Sequence, residues 1–215
     1  MIIQWCCKGI RDLPERDVRQ MLMNRVGLRC RYWIGCDPNP FPVADAMEGL
    51  TEQGLDLHVN HYDYQDPATG RPYYETTPFI SLSAGCVDRN TTVHTNKTYR
   101  AFQTALDFAT IIDHSQPAAG RRPGWVLVCY VLVSVNPAVS IPSVAEEIRE
   151  LNHNRAYSQW YWQGEITAKI NVPSAQILSA ARWEPRPANT YVATNLLLNR
   201  RFVHPAALLD ERNML

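Results

Sequence analysis

The sequence carries no excess of charge: 21 lysines and arginines balance 21 aspartates and glutamates. Proteins that hold nucleic acid by bulk electrostatics show a basic surplus, so that class is disfavoured here. Only local patches such as Arg121-Arg122 and Arg200-Arg201 remain, and solvated loop charge explains them equally well. Long apolar runs are also missing. The longest, Trp125 to Val135, falls short of the ~20 residues that a membrane-crossing helix needs. The six cysteines, Cys6, Cys7, Cys30, Cys36, Cys86 and Cys129, form no CxxC and no zinc-finger spacing. Met1 to Trp5 lacks the charged and apolar regions of a secretory signal, and no repeat or low-complexity segment occurs. These absences predict a protein that is soluble and works in a reducing cytosol, with Cys129 a buried free thiol.

What is present fits one generous domain. The 215 residues are 46% hydrophobic and 20% charged, ordinary for a globular chain. A helix is expected from Leu13, with proline and acids in its first turn and Gly27 as its stop. A strand is expected over Leu28–Ile34, placing Arg29, Arg31 and Trp33 on one face and Cys30, Tyr32 and Ile34 on the other. An arginine there lies at an exposed edge or points into a cleft, where its fork suits an anion. Val43–Leu50 reads as a short helix. Asp66-Pro67-Ala68-Thr69-Gly70, flanked by Tyr62, Tyr64, Tyr73 and Tyr74, reads as a hairpin turn. His58 and His61 lack a third ligand at suitable spacing, which argues against a metal.

Thr77–Gly85 holds a short strand on which Ser81 and Ser83 share a face. Tyr99–His114 has helical periodicity through Phe102, Ala105, Leu106, Ala109 and Ile112. Trp125–Val133 is apolar on both faces and predicts a central buried strand. Ser143-Val144-Ala145-Glu146 matches a capping box, predicting a helix through Ile148 and Leu151. A turn at Val172-Pro173-Ser174 precedes a strand over Ala175–Ala180. After Pro187 the composition changes, with a helix expected over Pro205–Arg212.

The stretch Ser158–Ile166 is the focus. Trp160, Tyr161 and Trp162 crowd an aromatic loop, and Gln163 and Glu165 project to one face of the strand that follows. An exposed polar pair beside a packed aromatic loop is the plain alternative. The order of parts resembles the ADP-ribosyltransferase toxin superfamily of the Arg–Ser–Glu type. That family combines an arginine, a Ser-Thr-Ser-like strand and a Gln/Glu-X-Glu motif behind an aromatic loop. Arg31 in Cys30-Arg31-Tyr32, Phe79-Ile80-Ser81-Leu82-Ser83 and Gln163-Gly164-Glu165 match these parts. Leu82 departs from the family's threonine, and Arg29 can stand in for Arg31.

The resemblance implies an α+β fold of two packed, mainly antiparallel sheets around an NAD cleft, flanked by helices. Residues 1–187 would form the catalytic domain and 188–215 an extension packed on it. It implies NAD as co-substrate, with no metal. Glu165, Gln163 and Ser81 would be catalytic, and Arg31, Tyr32, Ser81 and Ser83 would hold the dinucleotide. Trp160, Tyr161 and Trp162 would recognise the acceptor. Gln163 makes arginine the less favoured target, pointing to another protein side chain or a guanine base. A toxin or effector with a neutralising immunity protein would fit, as would an NAD glycohydrolase or a non-catalytic module.

Overall fold

The structure is a computed structural model that describes residues 2–36, 43–67, 70–84, 86–87, 98–99, 101–114, 116, 119–134, 136, 138–148 and 164–209. Its centre is β1 (Ile2–Arg11), which pairs antiparallel along its whole length with β6 (Gly124–Val133). On the other side of β1 lies β3 (Phe79–Ser83), followed by β7 (Glu165–Lys169). Beyond β6 come β9 (Ile177–Arg186) and β10 (Thr190–Leu198), giving a six-stranded sheet ordered β10-β9-β6-β1-β3-β7. All five neighbouring pairs run antiparallel. Two small sheets accompany it: β2 (Leu28–Arg29) with β8 (Asn171–Val172), and β4 (Cys86–Val87) with β5 (Thr98–Tyr99). With its helices the chain is the mixed, mainly antiparallel α+β protein expected.

Helices cover both faces of the sheet. Val18 and Leu22 of α1 (Glu15–Met23) pack with Leu127, Cys129, Ile177, Ala180 and Leu197. Ala105, Leu106 and Ala109 of α6 (Ala101–Thr110) cover Cys7 and Val126 on the opposite face. The helix sits so close that a Cβ on Gly9 or Gly124 would collide with the carbonyl oxygens of Ala105 and Ala109. A third cluster joins Ala46 of α3 (Val43–Glu48) with Leu55 and Val59 of α4 (Glu52–Asn60), Phe79, Ile148 and Ile170. Thr51 caps α4, its Oγ1 accepting from Gly54 N at 2.9 Å.

Two local expectations fail. The strand expected over Leu28–Ile34 stops at Arg29, and α2 (Arg31–Cys36) follows. Cys30 N donates to Ile170 O and Ile34 N to Cys30 O (2.9 and 3.1 Å), so the backbone turns instead of extending. The apparent alternation of Arg31 and Trp33 therefore marks a helix start. The Ser143–Glu146 box does not open a helix at Val144: Ala145 and Glu146 form single β-bridges to Val133 and Thr167, helical backbone begins only at Ile148, and Leu151 lies outside the described residues. Glu146 is drawn inward by Lys169, whose Nζ lies 2.6 Å from Glu146 Oε1 and also donates to Ala138 O and Ile141 O. A buried ammonium with all three protons donated outweighs a marginal cap.

Between α4 and β3 the chain makes the expected turn around residue 66. Asp66 N donates to Arg71 O at 3.0 Å, and Tyr73 N and Tyr74 N donate to Tyr64 O and Tyr62 O at 2.8 and 3.0 Å. A single helical turn, α5 (Tyr73–Thr76), then leads into β3.

Candidate active site

The ladder between β3 and β7 sets Ser83 opposite Glu165 and Ser81 opposite Thr167. Directly opposed residues of an antiparallel pair project to one face, so two serines, a threonine and a carboxylate share it. Glu165 is 9% exposed. Burial raises its pKa above the ordinary carboxylate range, while hydrogen bonding from Ser81, the charge of Lys8 and a hydrogen bond from Thr167 pull it back. The Thr167 hydroxyl donates to Glu165 Oε1 at 3.3 Å. The carboxylate is thus removed from water yet stabilised as an anion by oriented donors.

His58 is the next partner. It projects from α4 on the buried stripe of Gly54, Leu55 and Val59. Its Nε2 lies 2.9 Å from Ser81 Oγ and 4.0 Å from Glu165 Oε1, and its Nδ1 is 3.0 Å from Thr77 Oγ1. Burial, with the Lys8 charge adding, pushes the imidazole down to about 3, so the ring is neutral and carries one proton. Placed on Nε2, that proton goes to Ser81 Oγ and frees the serine hydroxyl to donate to Glu165. Nδ1 then accepts from Thr77, whose oxygen also accepts from Phe79 N at 3.2 Å. This tautomer gives the buried carboxylate its second donor.

Lys8 closes the inner side. β1 and β3 meet at Cys7–Ser83, and next to that pair Lys8 Nζ donates to Ser81 O at 2.8 Å. Burial lowers its pKa to about 8, with Glu165 opposing the drop and Arg31 adding to it. Arg31 opens α2 and is exposed. Its charge is felt by Lys8 and by the Tyr62 hydroxyl, which burial raises and which Glu165 also influences. Tyr62 meets the His58 ring edge-on at 5.4 Å, completing the outer side.

The structure therefore brings Glu165, Ser81 and Ser83 onto one face and sets Arg31 within electrostatic reach. Tyr32 packs against two apolar clusters, one of which includes Phe79 of β3. Gln163, Trp160, Tyr161 and Trp162 lie outside the described residues. Sequence reasoning did not place His58 or Lys8 here. The signals existed: a polar ring on the apolar stripe of a helix, and a lone cation inside the apolar run Ile2–Ile10. Chemically, the face offers a desolvated carboxyl group with two hydroxyl donors, a neutral imidazole behind one of them, and two nearby cations. That suits stabilisation of a developing positive charge.

No protein-family model matches the chain, and no curated protein matches it. Among solved structures it is similar to a mutant heat-labile enterotoxin, with TM-score 0.45, 13% identity, and 94% of this chain and 77% of that chain covered. It is similar to EcPltA, with TM-score 0.43 and 12% identity over 94% of this chain and 88% of that one. A nicked CARDS toxin gives TM-score 0.39 and 11% identity over 94% and 31%. Likenesses this loose leave the reading of the site to its own residues.

Proposed function

We propose that the chain is a mono-ADP-ribosyltransferase, a toxin or effector that moves ADP-ribose from NAD to a macromolecule. The supporting observation is the buried Glu165 carboxylate, whose pKa burial raises while the hydroxyls of Ser81 and Thr167 and the Lys8 charge oppose that rise. The bond between C1′ of the ribose and nicotinamide breaks, and nicotinamide leaves with the electron pair. C1′ becomes a sugar cation, which the desolvated carboxylate steadies far more than it would in water. The acceptor's lone pair then forms the new bond to C1′, and its proton passes to Glu165 or to water.

The other residues divide the remaining work. Ser81, oriented by His58, fixes the carboxylate, and Lys8 ties the Ser81 carbonyl to β1. Arg31, exposed beside them, meets the pyrophosphate, and Ser83 lines the face. Gln163, Trp160, Tyr161 and Trp162, which lie outside the described residues, would recognise the acceptor as the motif implies.

Replacing Glu165 with glutamine keeps the shape and removes the charge. Loss of one well-placed electrostatic partner costs about 10²–10³-fold in rate. NAD consumption measured by chromatography should fall by that factor while the far-ultraviolet spectrum stays unchanged. An unaltered rate would refute the assignment. Macromolecule-bound label from tagged NAD separates transfer from hydrolysis, which releases only free ADP-ribose.

A further inference from the structure

The main sheet ends in an open edge. Among the described residues β10 has β9 on one side and no strand on the other. Its nine residues, Thr190–Leu198, include no charged side chain and no proline. Proteins that keep an edge strand free in solution guard it with lysine, proline or an inward charge. The guard here is a bulge between Ala193 and Asn195, and it leaves Asn195–Leu198 regular behind it.

Leucines crowd this regular end. Leu197 is 7% exposed and packs in the core, whereas Leu196 and Leu198 are 60% and 69% exposed. Two residues apart, Leu196 and Leu198 share a face. Their partners across the ladder are Ala181 and Ser179, too short to cover them. The backbone is aligned as well. Asn199 N donates to Leu178 O at 3.0 Å, and amide directions alternate along an antiparallel strand, so Leu197 and Asn199 turn theirs to β9. Leu196 and Leu198 turn theirs outward. Asn199 Nδ2 ties the end of the strand to Ser174 O and Ile177 O at 2.6 and 2.7 Å, so the edge is preset for a partner.

We propose that this edge pairs with the same edge of a second copy, antiparallel about a two-fold axis at Leu197, joining two sheets into one. Leu196 of each copy exchanges backbone hydrogen bonds with Leu198 of the other, and four leucines meet on one face. Charge and closure favour a second copy. An uncharged strand meets its own image without repulsion, and a two-fold pairing leaves neither β10 edge bare. A charged strand of another protein finds no opposite charge on β10. One short strand contact buries little area, so the dimer forms and dissociates with concentration.

Sedimentation of the full chain over about a hundredfold range of concentration should show a monomer–dimer equilibrium. Amide exchange should slow at Leu196 and Leu198 as concentration rises, while Leu197, already bonded to β9, stays as it was. Leu196→Lys combined with Leu198→Lys sets like charges opposite one another, at exposed positions that the fold does not need. This variant should keep the parental Tm and associate more weakly by roughly tenfold or more. A chain that stays monomeric across the range leaves the edge to another partner and overturns the proposal. Exchange at Leu196 and Leu198 that ignores concentration overturns it too, as does a lysine variant that dimerises as tightly as the parent. None of these outcomes bears on the transfer reading.

Discussion

Replacing Ser81 with alanine removes the hydroxyl between His58 Nε2 and Glu165 and leaves the ladder backbone in place. The carboxylate keeps Thr167 as a donor, at a long 3.3 Å, together with the Lys8 charge. Its pKa is already raised by burial, and losing a donor raises it further. A hydrogen bond to a charged group contributes about 1.5–3 kcal/mol, and one pKa unit corresponds to about 1.4 kcal/mol. The acid limb of NAD consumption should therefore move up by roughly 1–2 pH units, because the reaction needs the ionised form. Rates would be followed from pH 4 to 9, with thermal melts to confirm that each variant is folded across the range. Ser81→Thr keeps the hydroxyl and should keep the limb near its original place. Superimposable profiles for parent and Ser81→Ala would show that the serine does not govern Glu165.

The opposite limb belongs to Lys8. Its ammonium is present below about 8 and lost above it, so activity should fall above that pH, and Lys8→Arg should retain activity further into the alkaline range; an unchanged alkaline limb in that variant would discard the role. The Lys169–Glu146 pair makes a stability prediction, since Lys169→Met strands a carboxylate only 3% exposed. Breaking a buried pair costs about 3–5 kcal/mol, or roughly 6–20 °C in Tm for a chain of this size, and adding Glu146→Gln should restore part of it by calorimetry. Gly9→Ala drives a methyl into the α6 backbone, and overpacking of this kind costs about 1–3 kcal/mol in chemical denaturation; equal midpoints would mean that the helix shifts freely.

Much of this architecture was legible locally. The helix expected over Tyr99–His114 forms over Ala101–Thr110, and the strand expected over Trp125–Val133 forms from Gly124. Strong periodicity settles such elements with little help from distant contacts. The strands bearing Ser81 and Glu165 were equally readable from alternation. What escaped depends on partners far along the chain. Ile2–Arg11 is a strand because residues 124–133 pair with it, and nothing near residue 5 announces that. Arg31 starts a helix because Thr77 O accepts from Tyr32 N at 3.1 Å. Glu146 turns inward for an ammonium 23 positions later. His58 and Lys8 become site residues only once β3 lies between them.

The placement of β1 also bears on how the molecule is made. The strand Ile2–Arg11 ends in the middle of the sheet, and its long partner comes more than a hundred residues later in the chain. Until then Ile2–Arg11 has two bare edges and apolar flanks, the condition under which nascent strands stick to the wrong neighbour. Pairings so distant in sequence close slowly. Folding of this chain therefore favours conditions that shield Ile2–Arg11 until Gly124–Val133 is available to pair with it.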